Sequence, residues 1–507
     1  MRVPLTLIDF LERGALHGDR VALVDEPGGP ASLGEVTHAE LARRARGMAR
    51  ELDRLGVPHG ARVAIVSPNS ARFVISLYGV SGYGRVLVPV NFRLNADEVG
   101  YIVAHSGAEV LLIDPELEDA LAGVRAPHRI LLDGVRDAAL FAGTDEEPDP
   151  WEPDEDATAS INYTSGTTAR PKGVQLTHRT LWLHAASFGW HLGIGPRDVY
   201  LQCLPLFHCN GWGVPYALTA MGARLVIVRR VDGAEILRRV DEHGATLTCG
   251  APAVADAILA ASVGMETVPG SGRMRMMLGG AASPTSMIRR IQEELGWEYM
   301  HGYGLTESSP VLTFNRARPE DDALPPQERA ARLARQGMQA VGVRVRVDGH
   351  GEVLARSNHV MESYWDDPEA TAQALDGGWL HTGDGAVMDD ESHITITDRK
   401  KDVINSGAEN VSSLEVEDHL RAHPEVADAA VIGVPDARFG EAVKAIVTLR
   451  EGATADEAQL TAFCRERMAH FKCPRSIEIR DALPRTATGK IQKFLLRAPY
   501  WEDSAGS

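Results

Sequence analysis

Short apolar runs alternate with longer amphipathic stretches along most of the chain. Uninterrupted apolar residues predict buried strands at Arg62–Val66, Val86–Val90 and Val110–Ile113. His38 to Leu55 instead places its apolar residues on one face at helical spacing, and Ala71 to Tyr83 reads as a further helix. Strands that alternate with helices in this way predict an α/β fold whose sheets are largely parallel.

The last hundred or so residues carry a different pattern, after a charged break at 398–402. Helical spacing returns at 413–422 and 456–469, and two long apolar strands lie between these helices. We interpret this part as a small α+β unit. The sequence therefore predicts a large N-terminal domain over 1–398 and a small C-terminal domain over 399–507.

Composition narrows the class of protein. A chain of 507 residues exceeds one ordinary hydrophobic core, and 44% hydrophobic with 24% charged residues is typical of a soluble globular protein. A net charge of −18 argues against a nucleic-acid-binding surface, which is normally basic. An odd number of scattered cysteines, no signal-peptide pattern (Asp9 and Glu12 interrupt it) and no membrane-spanning apolar run predict a cytoplasmic protein.

The richest local signal is the segment 163–173, Tyr-Thr-Ser-Gly-Thr-Thr-Ala-Arg-Pro-Lys-Gly. Its hydroxyls, glycines and lysine are the groups that surround a polyphosphate. It is not a Walker A loop, because Pro171 and Gly173 break the chain and a helix is predicted only after Thr177, a good N-cap residue. The alternative is a Ser/Thr/Gly-rich surface turn.

Further candidate segments follow in order. They are 205–213 with His208, the turn at 279–281 after an apolar strand, 301–308 with Glu307, 379–384 with Asp384, and 484–490 with Lys490. A carboxylate such as Glu307 suits Mg²⁺, and one such as Asp384 suits the two hydroxyls of a ribose. Each of these residues taken alone is more often a core histidine or a surface charge.

Together the segments resemble the acyl-adenylate-forming superfamily, which includes acyl-CoA synthetases, adenylation domains and luciferases. The resemblance rests on the order of 163–173, 207–211, 303–307, 382–384, 399–402 and 484–490, and it covers nearly the whole chain. It implies a five-layered αβαβα N-terminal domain of β-sheets flanked by helices, with a distorted β-barrel, and a small mobile C-terminal domain.

The resemblance also implies roles for individual residues. The ATP phosphates would be held by Thr164, Ser165, Gly166, Thr167, Thr168 and Lys172. Adenine would be bordered by Gly280, Ala281 and Tyr303, and ribose would be bound by Asp384 and Arg399. Around the reacting groups, Thr306 would contact the α-phosphate, Glu307 would bind Mg²⁺, and Lys490 would bridge the α-phosphate and the substrate carboxylate.

Thioester formation is implied to follow when the small domain turns about Lys401. Gly407 would then line the pantetheine tunnel, with His208 as its gate. Ala169 and Ala408 stand where the family usually has glycine, and we expect altered loop motion there with activity retained.

The resemblance predicts an ATP-, Mg²⁺- and coenzyme A-dependent acid–CoA ligase with a part in lipid metabolism. The segment 207–213 lacks the aspartate that pairs with an amino-acid substrate, which favours a short- or medium-chain fatty acid or an aryl acid. The residues expected around the acid are Phe207, Gly211, Trp212, Gly279, His301 and Gly302.

Two alternatives stay open. An adenylating enzyme could load a carrier protein instead of free coenzyme A, since both present a phosphopantetheine thiol. A nucleotide-binding regulatory protein without turnover is the second, and the presence of Glu307 and Lys490 argues against it. Chain length, pathway and oligomeric state, including a homodimer, are not fixed by the sequence.

Overall fold

The computed structural model describes residues 3–25, 32–164, 171–399, 402, 404–406, 409–436, 440–485 and 490–502. Helices alternate with strands over most of this length. The helices span Ile8–Ala15, His38–Arg54, Ala71–Gly79, Ala96–Ser106, His178–Leu192, Val214–Met221, Gly233–His243, Pro252–Ala261, Thr285–Glu293, Pro326–Ala334, Pro368–Ala374, Ser413–Arg421, Glu457–Arg465 and Lys493–Glu502.

The largest sheet is mixed, with a parallel centre and antiparallel edges. Its strands lie in the order Met338–Gln339, Thr313–Arg316, Glu298–Tyr303, Arg275–Gly279, Leu247–Gly250, Val199–Gln202, Arg224–Ile227, Val21–Val24 and Glu35–Thr37. Buried side chains from this sheet and from the flanking helices form the apolar core.

The second sheet is also mainly parallel and contains the strands predicted near the start of the chain. Its order is Ser363–Tyr364, Lys172–Thr177, Thr158–Thr164, Val86–Val90, Arg62–Val66, Ala108–Ile113 and His128–Leu131. A smaller antiparallel sheet follows, in the order Val343–Val347, Glu352–Ser357, Leu380–Met388 and Ile394–Arg399.

The C-terminal part forms a separate sheet. Glu409–Val411, Ile404–Ser406, Gly440–Leu449 and Val426–Asp436 lie in that order, and Ser476–Ile479 pairs with Gly440–Leu449. A large sheet-rich part and a smaller C-terminal unit confirm the predicted fold class. The division at residue 398 stays a prediction.

Several helix ends were predicted correctly because their caps are local. Thr177 accepts a hydrogen bond from the Thr180 N–H at 3.1 Å, as an N-cap residue does.

The helix predicted to reach Tyr83 ends at Gly79, and a short 3₁₀ turn follows at Ser81–Tyr83. Gly79 packs closely on Met48, where an added Cβ would lie 2.8 Å from the Met48 Cβ.

Candidate active site

The site lies where two parallel strands of the largest sheet end. The strands Arg275–Gly279 and Glu298–Tyr303 pair in parallel, and Gly279 lies opposite Gly302. Both strands therefore end at the same edge of the sheet. Open α/β sheets bind ligands at the carboxyl ends of their strands. Gly304, just beyond the second strand, has no room for a side chain, because a Cβ would lie 1.8 Å from the Pro310 carbonyl oxygen.

A cavity of about 70 Å³ opens at this edge. Apolar side chains line much of it, and one lysine reaches it from the C-terminal part of the chain. The lining residues are His208, Cys209, Trp212, Met277, Gly280, Gly302, Gly304, Leu305, Thr306, Pro310, Val311 and Lys490. The cavity therefore combines an apolar wall with one fixed positive charge.

One wall is a left-handed turn over residues 209–213. Cys209, Asn210 and Trp212 have φ of 45°, 55° and 57°, and the two glycines at 211 and 213 share this conformation. Left-handed backbone costs roughly 1–2 kcal/mol for each residue with a side chain, so surrounding contacts must hold the turn. The turn brings His208 and Trp212 to the same cavity.

Three contacts hold this turn. The buried His184 contacts the Trp212 carbonyl oxygen through Nε2 at 3.0 Å, and because a carbonyl only accepts, Nε2 carries the proton. Burial, together with the neighbouring His359, lowers the pKa of His184 to about 3, so the ring is neutral. Asn210 accepts a hydrogen bond from Ser160 at 3.3 Å, and the Cys209 thiol donates to Thr306 at 3.4 Å.

Lys490 faces His208 across the cavity. Its Cε lies 3.9 Å from the position that a Cβ on Gly280 would take, so the side chain runs along this glycine. Burial lowers the pKa of His208 to about 4, and the charges of Lys490 and Arg93 act in the same direction. His208 is therefore neutral at neutral pH, and the lysine is the cation that faces the cavity.

Glu307 follows Thr306 in the chain, and its carboxylate is held by Tyr364. Its Oε1 accepts a hydrogen bond from the Tyr364 hydroxyl at 2.7 Å. Mg²⁺ in nucleotide sites is bound by one or two carboxylates together with substrate phosphates. Within the described ranges, no group of three or more His, Cys, Asp or Glu side chains is arranged to hold a metal ion.

Two further predicted residues meet beside this edge. The Tyr303 hydroxyl donates to Asp384 at 2.8 Å, and Asp384 is paired with the backbone of Arg399 on the next strand. Thr164 and Lys172 are opposite each other in an antiparallel pair, which is the base of the predicted phosphate loop. Outside the described residues lie Ser165, Gly166, Thr167, Thr168, Ala169, Lys401, Gly407 and Ala408.

Comparison with known families decides to which family this fold belongs. The sequence profile for AMP-binding enzymes matches residues 10–365, and the profile for the C-terminal domain of AMP-binding enzymes matches residues 415–490. The chain belongs to the AMP-binding enzyme family. The resemblance inferred from the order of the motifs is thereby confirmed.

Relatives in this family match over nearly the full chain. A peroxisomal acetate/butyrate–CoA ligase from Arabidopsis thaliana is 35% identical over 97% of this chain and 94% of its own length. A 4-hydroxybutyrate–CoA ligase from Metallosphaera sedula is 35% identical with the same coverage, 97% and 94%. Because the relatives are CoA ligases, the predicted enzyme class, an acid–thiol ligase, is confirmed.

Solved structures of the family agree with the fold. The anthranilate–CoA ligase AuaEII in complex with anthranoyl-AMP is 27% identical, covers 100% of both chains and has a TM-score of 0.88. An o-succinylbenzoate–CoA synthetase from Bacillus subtilis, in complex with its acyl-adenylate, is 28% identical over 97% of this chain and 98% of its own, with a TM-score of 0.83.

The structure does not bring every predicted acid-site residue to the cavity. The His301 ring is buried, is not among the lining residues, and contacts the Tyr299 hydroxyl at 2.9 Å. Phe207 packs edge-on against Phe92 and Gly211 faces Leu206, and neither is among the lining residues. Ala281, predicted to border adenine, is exposed and lies two residues beyond the strand that ends at Gly279.

Sequence reasoning missed other residues at this site. Met277 and Val311 line the cavity, and Tyr364 binds Glu307. The apolar strand ending at Gly279 was a signal for Met277, because alternate residues of a strand point to the same side. Tyr364 had no such signal, since its partner is 57 positions away.

Proposed function

We propose that this protein is an ATP-dependent ligase that joins a short-chain aliphatic carboxylic acid to coenzyme A through an acyl-adenylate. The observation that carries the proposal is the position of Lys490, which enters a small apolar cavity beside Thr306 and the neutral His208. A cation in a pocket that also has apolar walls suits a substrate with one carboxylate and an apolar tail.

In the first step a carboxylate oxygen attacks the α-phosphorus of ATP, the bond between the α-phosphorus and the bridging oxygen breaks, and pyrophosphate leaves. Lys490 stabilises the negative charge that develops between the two anions, and the Thr306 hydroxyl donates to the α-phosphate. Mg²⁺ bound with ATP would neutralise phosphate charge, and Glu307 would hold it. In the second step the coenzyme A thiol attacks the acyl carbon, loses its proton, and displaces AMP.

The cavity supports a short acid. The described lining residues enclose about 70 Å³, a small volume that favours a short acid. The Trp212 ring closes one side, since its Cη2 lies 3.0 Å from the position of a Cβ on Gly279. No carboxylate side chain occurs among the described lining residues, which argues against an amino-acid substrate.

The names of the sequence relatives also indicate a short acid substrate. Besides the acetate/butyrate and 4-hydroxybutyrate enzymes, a relative from Humulus lupulus that is 33% identical over 97% of this chain and 95% of its own is a 2-methylpropanoate–CoA ligase. These acids are short and aliphatic. These sequence relatives, at 33% and 35% identity, favour a short aliphatic acid over the aryl acids of the two solved structures, anthranilate and o-succinylbenzoate, whose enzymes are 27% and 28% identical.

The two parts of the chain contact each other in the orientation that suits adenylation. Asp418 of the C-terminal part accepts hydrogen bonds from the Thr285 N–H at 3.3 Å and the Thr285 hydroxyl at 3.4 Å. With Lys490 in the cavity, we assign this orientation to acyl-adenylate formation. Thioester formation then follows in a second orientation that withdraws Lys490.

Cellular location stays a prediction. No helix among the described residues is long and apolar enough to cross a bilayer. The Arabidopsis acetate/butyrate and butyrate ligases are peroxisomal. We propose a cytoplasmic enzyme and a role in short-chain acid metabolism.

The test is AMP and pyrophosphate formation from MgATP with acetate, butyrate, 2-methylpropanoate, octanoate, benzoate and glycine, each with and without coenzyme A. We expect turnover that requires coenzyme A and is fastest with the acids of four carbons or fewer. Faster turnover with benzoate or octanoate would overturn the size argument. Acid-dependent pyrophosphate release without turnover of coenzyme A would indicate a carrier protein as the acceptor.

A further inference from the structure

Residues 361–367, which we call the clip, contact both predicted phosphate-binding regions of the site. The Met361 N–H donates to the Glu307 carbonyl oxygen at 2.7 Å. Tyr364 is paired with Val174 in the strand that begins at Lys172, and the Trp365 N–H donates to the Gly173 carbonyl oxygen at 2.7 Å. The clip therefore fixes the backbone of Glu307 relative to that of Lys172.

Tyr364 also connects the two side chains. Its hydroxyl donates to Glu307 Oε1 at 2.7 Å, and the Lys172 ammonium lies 4.8 Å from the centre of its ring. Asp367 lies 4.0 Å from the same ammonium. One aromatic side chain thus holds a carboxylate at its edge and a cation over its face, an arrangement that suits both charges.

The direction of this hydrogen bond follows from its partners. The phenol hydroxyl donates and the carboxylate oxygen accepts, so the bond holds one Glu307 oxygen toward Tyr364.

We propose that Tyr364 is a positioning residue that holds Glu307 for the nucleotide-bound metal and Lys172 for the phosphates. This inference rests on the proposed function, because it assigns Glu307 and Lys172 to the ATP site. Groups that orient a metal ligand from behind typically change metal affinity by about 10- to 100-fold when they are removed. We expect the lower end of that range, because Glu307 is only half-buried.

Two substitutions separate the two contacts. Tyr364→Phe removes the hydroxyl and keeps the ring beneath Lys172, whereas Tyr364→Leu removes both. A matched control is Tyr500→Phe, which removes the same kind of bond, from Tyr500 to Glu478 at 2.6 Å, in the C-terminal part. Melting temperatures are measured for all three variants, so that a folding defect is recognised.

The experiment titrates Mn²⁺ into the protein with α,β-methylene-ATP and follows free Mn²⁺ by electron paramagnetic resonance. We expect Tyr364→Phe to weaken nucleotide-dependent Mn²⁺ binding about tenfold, with metal-free binding of the analogue unchanged. Tyr364→Leu should also weaken metal-free binding of the analogue, by about two- to fivefold, because Lys172 loses the ring. A purely structural role would not separate the two kinds of binding.

Mn²⁺ affinity in Tyr364→Phe equal to that of the wild type and of Tyr500→Phe would overturn the proposal. Equal losses of metal-dependent and metal-free binding in Tyr364→Phe would overturn it as well. If the wild-type protein binds neither the analogue nor Mn²⁺, the proposed function itself fails. That result is distinct from the failure of Tyr364 alone.

Discussion

Asp418→Ala should shift the balance between the two proposed orientations of the C-terminal part. The helix Thr285–Glu293 begins without a side-chain cap of its own, because Pro284 stands at the N-cap position. Asp418, in the C-terminal part, supplies the missing acceptor. Its carboxylate accepts from the Thr285 N–H at 3.3 Å and from the Thr285 hydroxyl at 3.4 Å. A carboxylate at a helix N-terminus is stabilising, and we expect this contact between the two parts to be lost in the second proposed orientation.

The magnitude follows from this geometry. Capping and helix-dipole contacts contribute about 0.5–2 kcal/mol, and long, half-exposed contacts like these belong at the lower end, about 0.5–1 kcal/mol. A loss of that size changes the equilibrium between the orientations by roughly two- to fivefold. Adenylation should therefore slow by up to that factor, while the transfer of a preformed acyl group to coenzyme A should not slow.

Single-turnover measurements by rapid quench separate the two steps. The first starts from acid and MgATP, and the second from the acyl-adenylate and coenzyme A. Glu415→Ala is the control. Glu415 lies on the same helix as Asp418, but its carboxylate pairs with the Lys472 ammonium at 2.7 Å within the C-terminal part. Equal slowing of both steps by Asp418→Ala, or an equal effect of Glu415→Ala, would refute the reasoning.

Two further predictions concern the acid pocket and pH. Trp212→Ala should raise the ratio of kcat/KM for hexanoate to that for butyrate about tenfold or more, because the indole closes the cavity. Trp190→Ala, at a 75% exposed position, should leave the ratio unchanged, and an unchanged ratio in Trp212→Ala would contradict the assignment. Burial lowers the pKa of His184 to about 3 and the pKa values of His178 and His301 to about 4. The unfolded chain binds protons at these rings below about pH 6.5, so stability is complete above that pH and falls toward pH 4, by about 2 kcal/mol per histidine at pH 5. Urea midpoints at pH 7.5, 6 and 5 measure this loss, and a constant midpoint would exclude it.

Local signals explain what the sequence predicted correctly. The N-cap at Thr177 and the apolar face of His38–Arg54 depend on residues within a few positions of each other. The order of the motifs along the chain identified the family without knowledge of which residues are in contact. The apolar strand that ends at Gly279 was predicted, whereas the strand Glu298–Tyr303 that pairs with it was not.

Contacts between distant segments explain what the sequence missed. Pro171 and Gly173 were interpreted as breaks in a loop, yet Lys172–Thr177 is a strand that pairs with the strand before the loop. The left-handed turn at 209–213 includes Cys209 and Trp212, whose side chains ordinarily disfavour that conformation. Tyr364 reaches the site because a short strand pairs with a segment almost two hundred positions earlier, which no local pattern reveals.

The central claim is that Lys490 acts in adenylation from the small cavity. The most direct measurement is butyrate-dependent exchange of pyrophosphate into ATP in Lys490→Ala. Lys472→Ala is the control, because Lys472 pairs with Glu415 and is not among the residues that line the cavity. We predict that exchange falls about 100- to 1,000-fold in Lys490→Ala, as when one preorganised donor to the transition state is lost, while thioester formation from supplied butyryl-adenylate stays within a few-fold of wild type. Exchange at the wild-type rate in Lys490→Ala would contradict the account.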